Sequence, residues 1–422
     1  MNKSKLTAAI DIGSSKITSV LAQVSVEQAT FETTVNVVGV NSVPSRGIKK
    51  GQIVNIEEAV EATISAVEAS ERMAGYNLDN AFISVGGAHI SSQNSTGVVA
   101  VSDPNGEVSP KDVERVIEAA RAVSLPASRE VIHVIPREFI VDGESGVKDP
   151  VGMSGVRLEV NTHIVTASSA ALKNLTKTVQ EVGVEIEEVV FSALAASFST
   201  LSETEKELGC VLVDIGAGTT SIAAFVDSSL SYSGSFPVGA RNVTNDLAIG
   251  LRVSLDVAEK IKLDLVRVRE EDKGTSAQVN LADYGAGEMK RISKRTLTEG
   301  IVRPRLNEIF SIIKLDLERA GIINKVPSGA IVAGGGSLTY GLEDAAKRTL
   351  GLPVRIALPS GVTGLIDELN SPAYACSVGL ILHSAAEGRG GSSGGSENLP
   401  VKFSLPSGAL GKVIRAARDL LP

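Results

Sequence analysis

Two short turns in this sequence contain the residue types that bind phosphate groups. The first is the run Asp11-Ile12-Gly13-Ser14-Ser15-Lys16, and the second is Asp214-Ile215-Gly216-Ala217-Gly218-Thr219-Thr220. Small residues let backbone N–H groups approach an anion without hindrance from a Cβ atom. The hydroxyl groups add donors, and Lys16 adds a compact positive charge. Both turns are therefore suited to a bound polyphosphate.

An aspartate stands at the start of each turn, where a predicted buried strand ends. Asp11 and Asp214 supply the carboxylate oxygens that suit a hydrated Mg²⁺, and Asp214 is our candidate for orienting a water molecule or the metal during hydrolysis. One such turn by itself is equally consistent with a simple hairpin corner. A third glycine-rich strand end, Gly334 to Ser337, favours nucleotide binding because it lets a helix N-terminus approach the ligand.

The elements that must position these turns alternate between strands and helices. Strands are predicted at 6–12 and 17–24 around the first turn, and at 209–214 and 221–226 around the second. Because the strand–turn–strand unit occurs twice, we expect a duplication, with two similar α/β halves facing one another. Residues 84–163 do not follow the pattern of strands and helices in the two halves and are interpreted as an inserted unit.

Composition excludes several classes of protein. The chain has 422 residues, 43% of them hydrophobic, which is enough for two or more domain cores. Its net charge of −8 disfavours nucleic-acid binding. Cys210 and Cys376 are too few for a disulfide scaffold or a thiolate metal cluster, and we expect buried reduced thiols rather than the remaining alternative, a single structural disulfide. The start of the chain resembles no secretory signal, and no uncharged run reaches the ~20 residues of a membrane-spanning helix, so we expect a cytoplasmic protein.

The C-terminal tail has an amphipathic pattern. Residues 386–407 are rich in Gly and Ser and predict a flexible linker. Beyond it the apolar stripe consists of Leu410, Val413, Ile414, Ala417, Leu420 and Leu421, and the cations are Lys412, Arg415 and Arg418. This pattern favours a helix at 408–422 that lies in an anionic membrane surface. The alternative is a terminal helix that docks on the body of the protein or on a partner.

Longer sequence runs carry a resemblance to a known family. They are 133–143, 147–158, 237–239, 244–248 and 258–262. These runs resemble FtsA, the bacterial cell-division member of the actin, heat-shock chaperone and sugar kinase superfamily, and the likeness extends from Ala8 to Leu421. It implies an α/β actin-like duplicated ATPase fold of two facing domains. An inserted subdomain 1C replaces 1B in this fold, and a C-terminal amphipathic helix follows on a flexible linker.

The resemblance also implies a domain plan. Subdomain 1A takes 1–83 and 164–198, and 1C takes 84–163. Subdomain 2A takes 199–245 and 326–373, with 2B at 246–325, and the chain returns to 1A at 374–385.

The family's nucleotide site transfers to this chain residue by residue, with ATP and Mg²⁺ as the implied ligands. The implied site comprises Asp11, Gly13, Ser14, Ser15, Lys16, Asp214, Gly216, Gly218, Thr219, Thr220, Glu259, Lys262, Gly334, Gly335, Gly336 and Ser337. Glu259 and Lys262 match the pair that flanks adenine and ribose. Without the resemblance, their spacing of one helical turn would be interpreted as an exposed ion pair. Ala217 and Ala240 depart from the family pattern, but a methyl group is a small change and we expect nucleotide binding to be retained.

The implied function is that of an adaptor with weak or no ATPase activity. It polymerises through 1C and neighbouring subdomains, binds anionic lipids and the C-terminal peptide of FtsZ, and helps recruit late division proteins at the septum. The candidate FtsZ contacts in 2B are Arg291, Lys294, Arg295, Arg303 and Arg305, which could equally form a solvated basic face. The alternative functions are a PilM-like adaptor of pilus assembly and, less favoured, a carbohydrate kinase.

Overall fold

The computed structural model describes residues 4–26, 33–267, 278–285 and 291–387. Its strands are β1 (Ser4–Ile12), β2 (Lys16–Val26), β3 (Thr33–Pro44), β4 (Ile48–Lys49), β5 (Gln52–Ile53), β6 (Asn80–Val85), β7 (Ser91–Ala100), β8 (Arg129–Val141), β9 (Glu144–Val147), β10 (Arg157–Ser168), β11 (Glu185–Phe191), β12 (Cys210–Ile215), β13 (Thr220–Val226), β14 (Ser229–Phe236), β15 (Gln278–Asn280), β16 (Arg291–Ser293), β17 (Ala330–Ala333), β18 (Val354–Ile356) and β19 (Thr363–Gly364). Its α-helices are α1 (Ile56–Ala74), α2 (Pro110–Arg121), α3 (Ser169–Glu181), α4 (Ser192–Thr200), α5 (Glu203–Leu208), α6 (Ala240–Leu251), α7 (Leu255–Arg267), α8 (Lys294–Leu297), α9 (Arg303–Arg319), α10 (Leu342–Leu350) and α11 (Ala375–Glu387).

Two large sheets repeat one topology, which confirms the predicted duplication. The first has the order β11-β6-β1-β2-β3-β19, and the second has the order β18-β17-β12-β13-β14. In each, a central strand (β1 or β12) pairs antiparallel with the next strand along the chain and parallel with a later strand. The two Asp-Ile-Gly turns connect β1 to β2 and β12 to β13. Equivalent ends of the two sheets therefore carry equivalent turns.

Two helices lie between the halves. Helix α11 packs against α4, and both contribute to an apolar core that includes residues from both sheets, among them Ile10 and Leu212. A second core fills the far side of the second sheet around Phe310. Cys210 and Cys376 are buried free thiols, as predicted. The return of the chain through α11 thus joins the two halves at their centre.

Local sequence signals explain where the helices begin. The side chain of Asn55 accepts a hydrogen bond from Glu58 N at the start of α1. At the start of α2, Ser109 and Asp112 form a reciprocal capping box, with Pro110 as the first helical residue. Both helices therefore begin at residues whose side chains satisfy backbone N–H groups of the first turn.

The inserted unit has its own sheet and its own core. The sheet order is β7-β10-β8-β9, and α2 packs against it around Val116, Val160 and Ile164.

Several expected domain boundaries fall inside secondary-structure elements. Strand β10 belongs to the inserted unit's sheet and is followed directly by α3 of the first half, so the expected boundary between 163 and 164 falls inside a strand. The boundary between 83 and 84 likewise falls inside β6, and those at 198/199 and 245/246 fall inside α4 and α6.

A polar contact zone, which we call the serine seam, joins the inserted unit to strand β14 of the second half. Its hydroxyl groups on β14 belong to Ser229, Ser231, Ser233 and Ser235. Ser92 Oγ donates to the carbonyl oxygen of Ser233 at 2.7 Å, and His163 Nε2 lies 3.0 Å from Ser233 Oγ. Arg137 Nε donates to Ser231 Oγ at 3.1 Å. The seam is therefore held by side-chain hydrogen bonds, beside an apolar core to which Leu230 of β14 and Ile132 and Val165 of the inserted unit's sheet contribute.

The predicted linker and amphipathic tail lie almost wholly outside the described residues. Helix α11 ends at Glu387 and so includes the first two residues of the predicted linker. Residues 388–422, including the whole expected membrane-binding helix, are outside the described part of the chain. Among the described residues, no helix combines the length and apolar character needed to cross a membrane.

Candidate functional site

A cleft between the two halves brings the three glycine-rich turns together. The space has a volume of about 340 Å³, within the range of roughly 300–1,000 Å³ that is usual for small-molecule sites. The predicted residues that line it are Asp11, Gly13, Ser14, Ser15, Lys16, Asp214, Gly216, Thr219, Glu259, Lys262, Gly334, Gly335 and Gly336. Residues far apart in the sequence thus converge on one cavity.

The first two turns have the same backbone geometry. Gly13 N donates to Lys16 O at 3.1 Å, and Gly216 N donates to Thr219 O at 2.8 Å. In both hairpins the aspartate lies one residue before the last strand pair, with Asp11 opposite Thr18 and Asp214 opposite Ser221. The duplication therefore extends to individual residues of the site.

Three predicted site residues do not line the cavity, and each has a structural contact. Thr220 is buried, and its Oγ1 donates to Val238 O at 2.9 Å. Ser337 is also buried, and its Oγ donates to Gly334 O at 2.7 Å. A Cβ on Gly218 would lie 3.0 Å from Ser14 Oγ. These residues shape and close the turns.

The third turn depends on a backbone conformation that favours glycine. Gly334 has φ +80°, and a Cβ there would lie closer than 3.0 Å to Asp214 Oδ1 and to the carbonyl oxygen of Ile215. Gly334 N donates to Pro372 O at 2.9 Å, which ties the turn to the segment leading into α11. The third turn is thus packed directly onto the second.

At the other end of the cavity, Glu259 and Lys262 form a pair that is more buried than their spacing suggested. Lys262 is only 7% exposed, and its Nζ lies 2.8 Å from Glu259 Oε2. Thr244 Oγ1 accepts from Lys262 Nζ at 2.9 Å and donates to the Glu259 carboxylate. A hydroxyl group on the neighbouring helix therefore holds both charged groups in place.

The acidic groups at the centre of the cleft have ordered partners. Asp11 accepts hydrogen bonds from Ser84 Oγ at 2.7 Å and from Ser377 Oγ at 3.0 Å. Burial, and then the negative charge of Asp11, raises the pKa of Asp214 to about 7. Among the described residues, no group of three or more His, Cys, Asp or Glu side chains is arranged to hold a metal ion. The Asp11 and Asp214 carboxylates are therefore a pair whose mutual repulsion a cation would relieve.

The lysine of the first turn is held against an aromatic ring. Lys16 Nζ lies 2.9 Å from the centroid of the Tyr374 ring, a cation–π contact. Burial lowers the pKa of Lys16 to about 8, although the charge of Asp11 opposes that shift. The ammonium group is thus fixed between the first turn and the segment that begins α11.

The raised pKa of Asp214 predicts how stability depends on pH. Because the folded state favours the protonated form, the ligand-free, metal-free protein should lose stability as pH rises from about 4 to about 7. Asp214→Asn should flatten this dependence. Between about pH 4 and about pH 7 the thermal midpoint of the variant should therefore rise by several degrees relative to that of the wild type. Thermal unfolding at steps of pH measures it. Asp227→Asn, at an exposed turn, is the matched control, and parallel curves for wild type and Asp214→Asn would contradict the prediction.

Several cavity residues were not predicted from the sequence. They are Ile12, Gly51, Ser84, Gly86, Ser192, Leu263, Leu338, Thr339, Pro372, Ala373 and Cys376; Ala217 and Ala240, predicted only as departures from the family pattern, also line the cavity. Ser84 lies at the carboxyl end of strand β6 and Gly86 follows it, and β6 pairs parallel with β1. Since the carboxyl ends of neighbouring parallel strands lie at one edge of a sheet, this adjacency was a usable signal. The contribution of Gly51 comes from a small hairpin and had no comparable signal.

Comparison with known proteins identifies the family. The model described as "SHS2 domain inserted in FTSA" matches residues 87–166, and the model "Cell division protein FtsA" matches 211–379. The chain is 37% identical over 379 residues to cell division protein FtsA of Pseudomonas aeruginosa, covering 90% of this chain and 89% of that protein. It is 34% identical over 413 residues to FtsA of Bacillus subtilis, covering 98% and 90% of the two chains.

Solved structures show the fold. The PilM-PilN type IV pilus biogenesis complex matches with a TM-score of 0.62 at 16% identity, over 90% of this chain and 98% of that one. MreB 5 of Spiroplasma citri bound to AMPPNP matches with a TM-score of 0.55 at 13% identity, over 92% and 98%. The fold is the actin-like duplicated α/β fold, and its inserted SHS2 unit at 87–166 overlaps the predicted 84–163. The chain belongs to the FtsA family of cell division proteins.

Proposed function

We propose that this protein is an ATP-binding, self-polymerising adaptor that anchors FtsZ filaments to the cytoplasmic face of the membrane at the division septum. It would also help to recruit later division proteins, with 1C contacting the next protomer. The observation that carries the proposal is the cleft in which two equivalent turns from the two halves meet the third, glycine-rich turn. Family membership supplies the cell-division context.

The cleft residues fit a nucleotide. The backbone N–H groups and hydroxyls of the first two turns, with Lys16, would hold the phosphates, and the Glu259–Lys262 pair would hold the ribose and adenine. A Cβ on Gly334 or Gly336 would meet Ile215 of the second turn, so glycine at these positions lets the third turn pack closely against it. Asp11 and Asp214 would hold Mg²⁺, which supplies charge neutralisation of the phosphates. Asp214 remains our candidate for orienting water, and we propose that the nucleotide acts mainly as a conformational and assembly ligand, with slow turnover at most.

The FtsZ-binding proposal is sharpened by the contacts of the basic cluster. Arg305 makes a bidentate ion pair with Asp246, with N···O distances of 2.6 and 2.9 Å, and Arg303 pairs with Glu299. Lys294 Nζ lies 5.0 Å from the centroid of the Tyr340 ring. Arg291 and Arg295 are exposed. We propose that these two exposed arginines attract the acidic FtsZ peptide and that Arg303 and Arg305 shape the surface around them.

The membrane part of the proposal rests on the sequence of the tail. The cations Lys412, Arg415 and Arg418 alternate with an apolar stripe that includes Leu410 and Ile414, which is the pattern of an interfacial helix. A helix this short binds lipid weakly, so polymerisation would supply the needed avidity.

Vesicle flotation tests the adaptor function. Purified full-length protein with ATP, Mg²⁺, anionic vesicles and FtsZ polymer is compared with a chain ending at Ser407. We expect FtsZ to float only with the full chain, and Ile414→Asp to abolish flotation while Lys402→Gln, a charge change in the linker, preserves it.

The other flotation results have definite meanings. Flotation of this protein without FtsZ would support the membrane helix and point to another partner, as in the PilM-like alternative. That alternative is less supported, because the PilM-PilN match is 16% identical whereas the FtsA matches reach 37%. If neither protein floats, the tail does not anchor the chain. Acceleration of ATP consumption by a sugar would instead support a kinase.

A further inference from the structure

The small hairpin β4–β5 reaches the cleft through a tight two-residue turn. Ile48 pairs with Ile53 and Lys49 with Gln52, which leaves Lys50 and Gly51 as the turn residues. Their φ angles are +50° and +71°, the left-handed conformation that such hairpin turns require at both positions. Gly51 lines the nucleotide cavity. This turn is thus a fourth loop at the site, besides the three predicted.

The turn contacts the phosphate-binding turns of both halves. Gly51 N donates to Ser14 Oγ of the first turn at 2.9 Å. On the second turn, a Cβ on Gly218 would lie 3.1 Å from both N and Cα of Lys50. A Cβ on Gly51 would also lie closer than 3.0 Å to Gly86 O. The Lys50–Gly51 turn therefore spans the cleft where the two hairpins approach each other.

A lysine at this position is unusual for the backbone it occupies. Left-handed φ is adopted mainly by Gly, Asn and Asp, and a bulky residue there carries a conformational cost. Such residues concentrate at functional sites, where the surrounding structure holds them. Lys50 is exposed, and its flexible four-carbon chain ends in an ammonium group that binds phosphate as a point charge. Its backbone position brings that charge within reach of an anion held between the Ser14 and Gly218 turns.

The side chains that line the cavity bring no excess of positive charge. Its carboxylates belong to Asp11, Asp214 and Glu259, and its ammonium groups to Lys16 and Lys262. Lys262 is engaged by Glu259 and Thr244 at the far end. A bound nucleoside triphosphate brings more negative charge into the cavity than a diphosphate does, and the additional charge is on its outermost phosphate group.

We propose that Lys50 contacts the outermost phosphate group of a bound nucleoside triphosphate and thereby distinguishes triphosphate from diphosphate. The Lys50–Gly51 turn would join the two halves more firmly in the triphosphate state, because it already contacts both phosphate turns. This inference rests on the proposed nucleotide-binding function, and it adds a specificity-determining residue to that site.

Calorimetric titration of the full-length protein with AMPPNP and with ADP, both with Mg²⁺, tests the proposal. Lys50→Asn removes the charge but keeps a residue that tolerates the left-handed conformation. We expect it to weaken AMPPNP binding by about tenfold and ADP binding by less than about twofold. Lys50→Arg should restore the preference for AMPPNP. Lys49→Asn removes an exposed lysine from the same hairpin and should change neither affinity.

Each other outcome overturns the inference in a recognisable way. Equal loss for AMPPNP and ADP in Lys50→Asn would show that the turn has only a structural role, and a change in neither would show that Lys50 does not contact the ligand. Failure of the wild-type protein to bind either nucleotide would overturn the proposed function together with this inference. Thermal midpoints of all variants, measured in parallel, establish that each is folded.

Discussion

Replacing Gly334 with alanine is expected to reduce nucleotide affinity by at least about a hundredfold. The added Cβ would lie closer than 3.0 Å to Asp214 Oδ1 and to Ile215 O, and the φ of +80° would be strained for any L-residue. Relief of this clash must move either the third turn or Asp214, and both line the cleft. Calorimetric titration with AMPPNP and Mg²⁺ measures the loss.

The neighbouring glycine provides a matched control for that experiment. A Cβ on Gly335 would meet only the Ala373 Cβ, at 3.5 Å, which is an ordinary van der Waals contact. Gly335→Ala should therefore keep its affinity within about threefold. Retention of wild-type affinity by Gly334→Ala would mean that the third turn is not part of the binding site. A cooperative thermal transition in both variants separates loss of binding from loss of fold.

The second large effect is expected at Gly379, where the two central helices cross. A Cβ there would lie closer than 3.0 Å to Ala195 O and 2.5 Å from Ala195 C. Because both are backbone atoms of α4, α11 would have to shift as a whole. Gly379→Ala should destabilise the fold by about 3 kcal/mol or more, at the upper end of overpacking substitutions. Thermal unfolding should show a fall of at least about 5 °C in the midpoint.

A glycine with free space around it is the control for this prediction. Gly300 lies in a π-helical turn between α8 and α9 and has no neighbour within 4 Å of a Cβ position. Gly300→Ala should be neutral or slightly stabilising, since alanine restricts the unfolded chain more than glycine does. Equal midpoints for the Gly379→Ala and wild-type proteins would show that the α4–α11 contact tolerates a wider separation.

The sequence was most informative where function and local structure depend on the same residues. The Asp-Ile-Gly turns can be recognised from their residue types, and their repetition predicts the duplicated sheets. The caps at Asn55 and Ser109 are equally local signals. In each case the interacting groups lie within a few residues of one another, so the pattern can be recognised without the fold.

Contacts between distant segments could not be predicted in this way. Asp11 accepts hydrogen bonds from Ser84 and Ser377, which only the assembled sheet and α11 bring together. The burial of Lys262 depends on packing against α6, and nothing in its spacing from Glu259 distinguishes it from a surface ion pair. The ion pair between Arg305 and Asp246 likewise joins segments that their positions in the sequence do not bring together.

The serine seam has a thermodynamic consequence for motion of the inserted unit. Because hydroxyl, imidazole and guanidinium groups form it, water can replace each hydrogen bond when the seam separates. Heat-capacity change follows apolar exposure, so the loss of these hydrogen bonds alone should leave little calorimetric trace. Hydrogen exchange at the backbone amides of Gly87 and Ser233, which donate to Ser235 Oγ and Ser92 Oγ, would report it instead. Opening of the seam by itself therefore breaks only hydrogen bonds that water can replace, whereas reorientation of the whole inserted unit would also have to move Ile132 and Val165 within the apolar core.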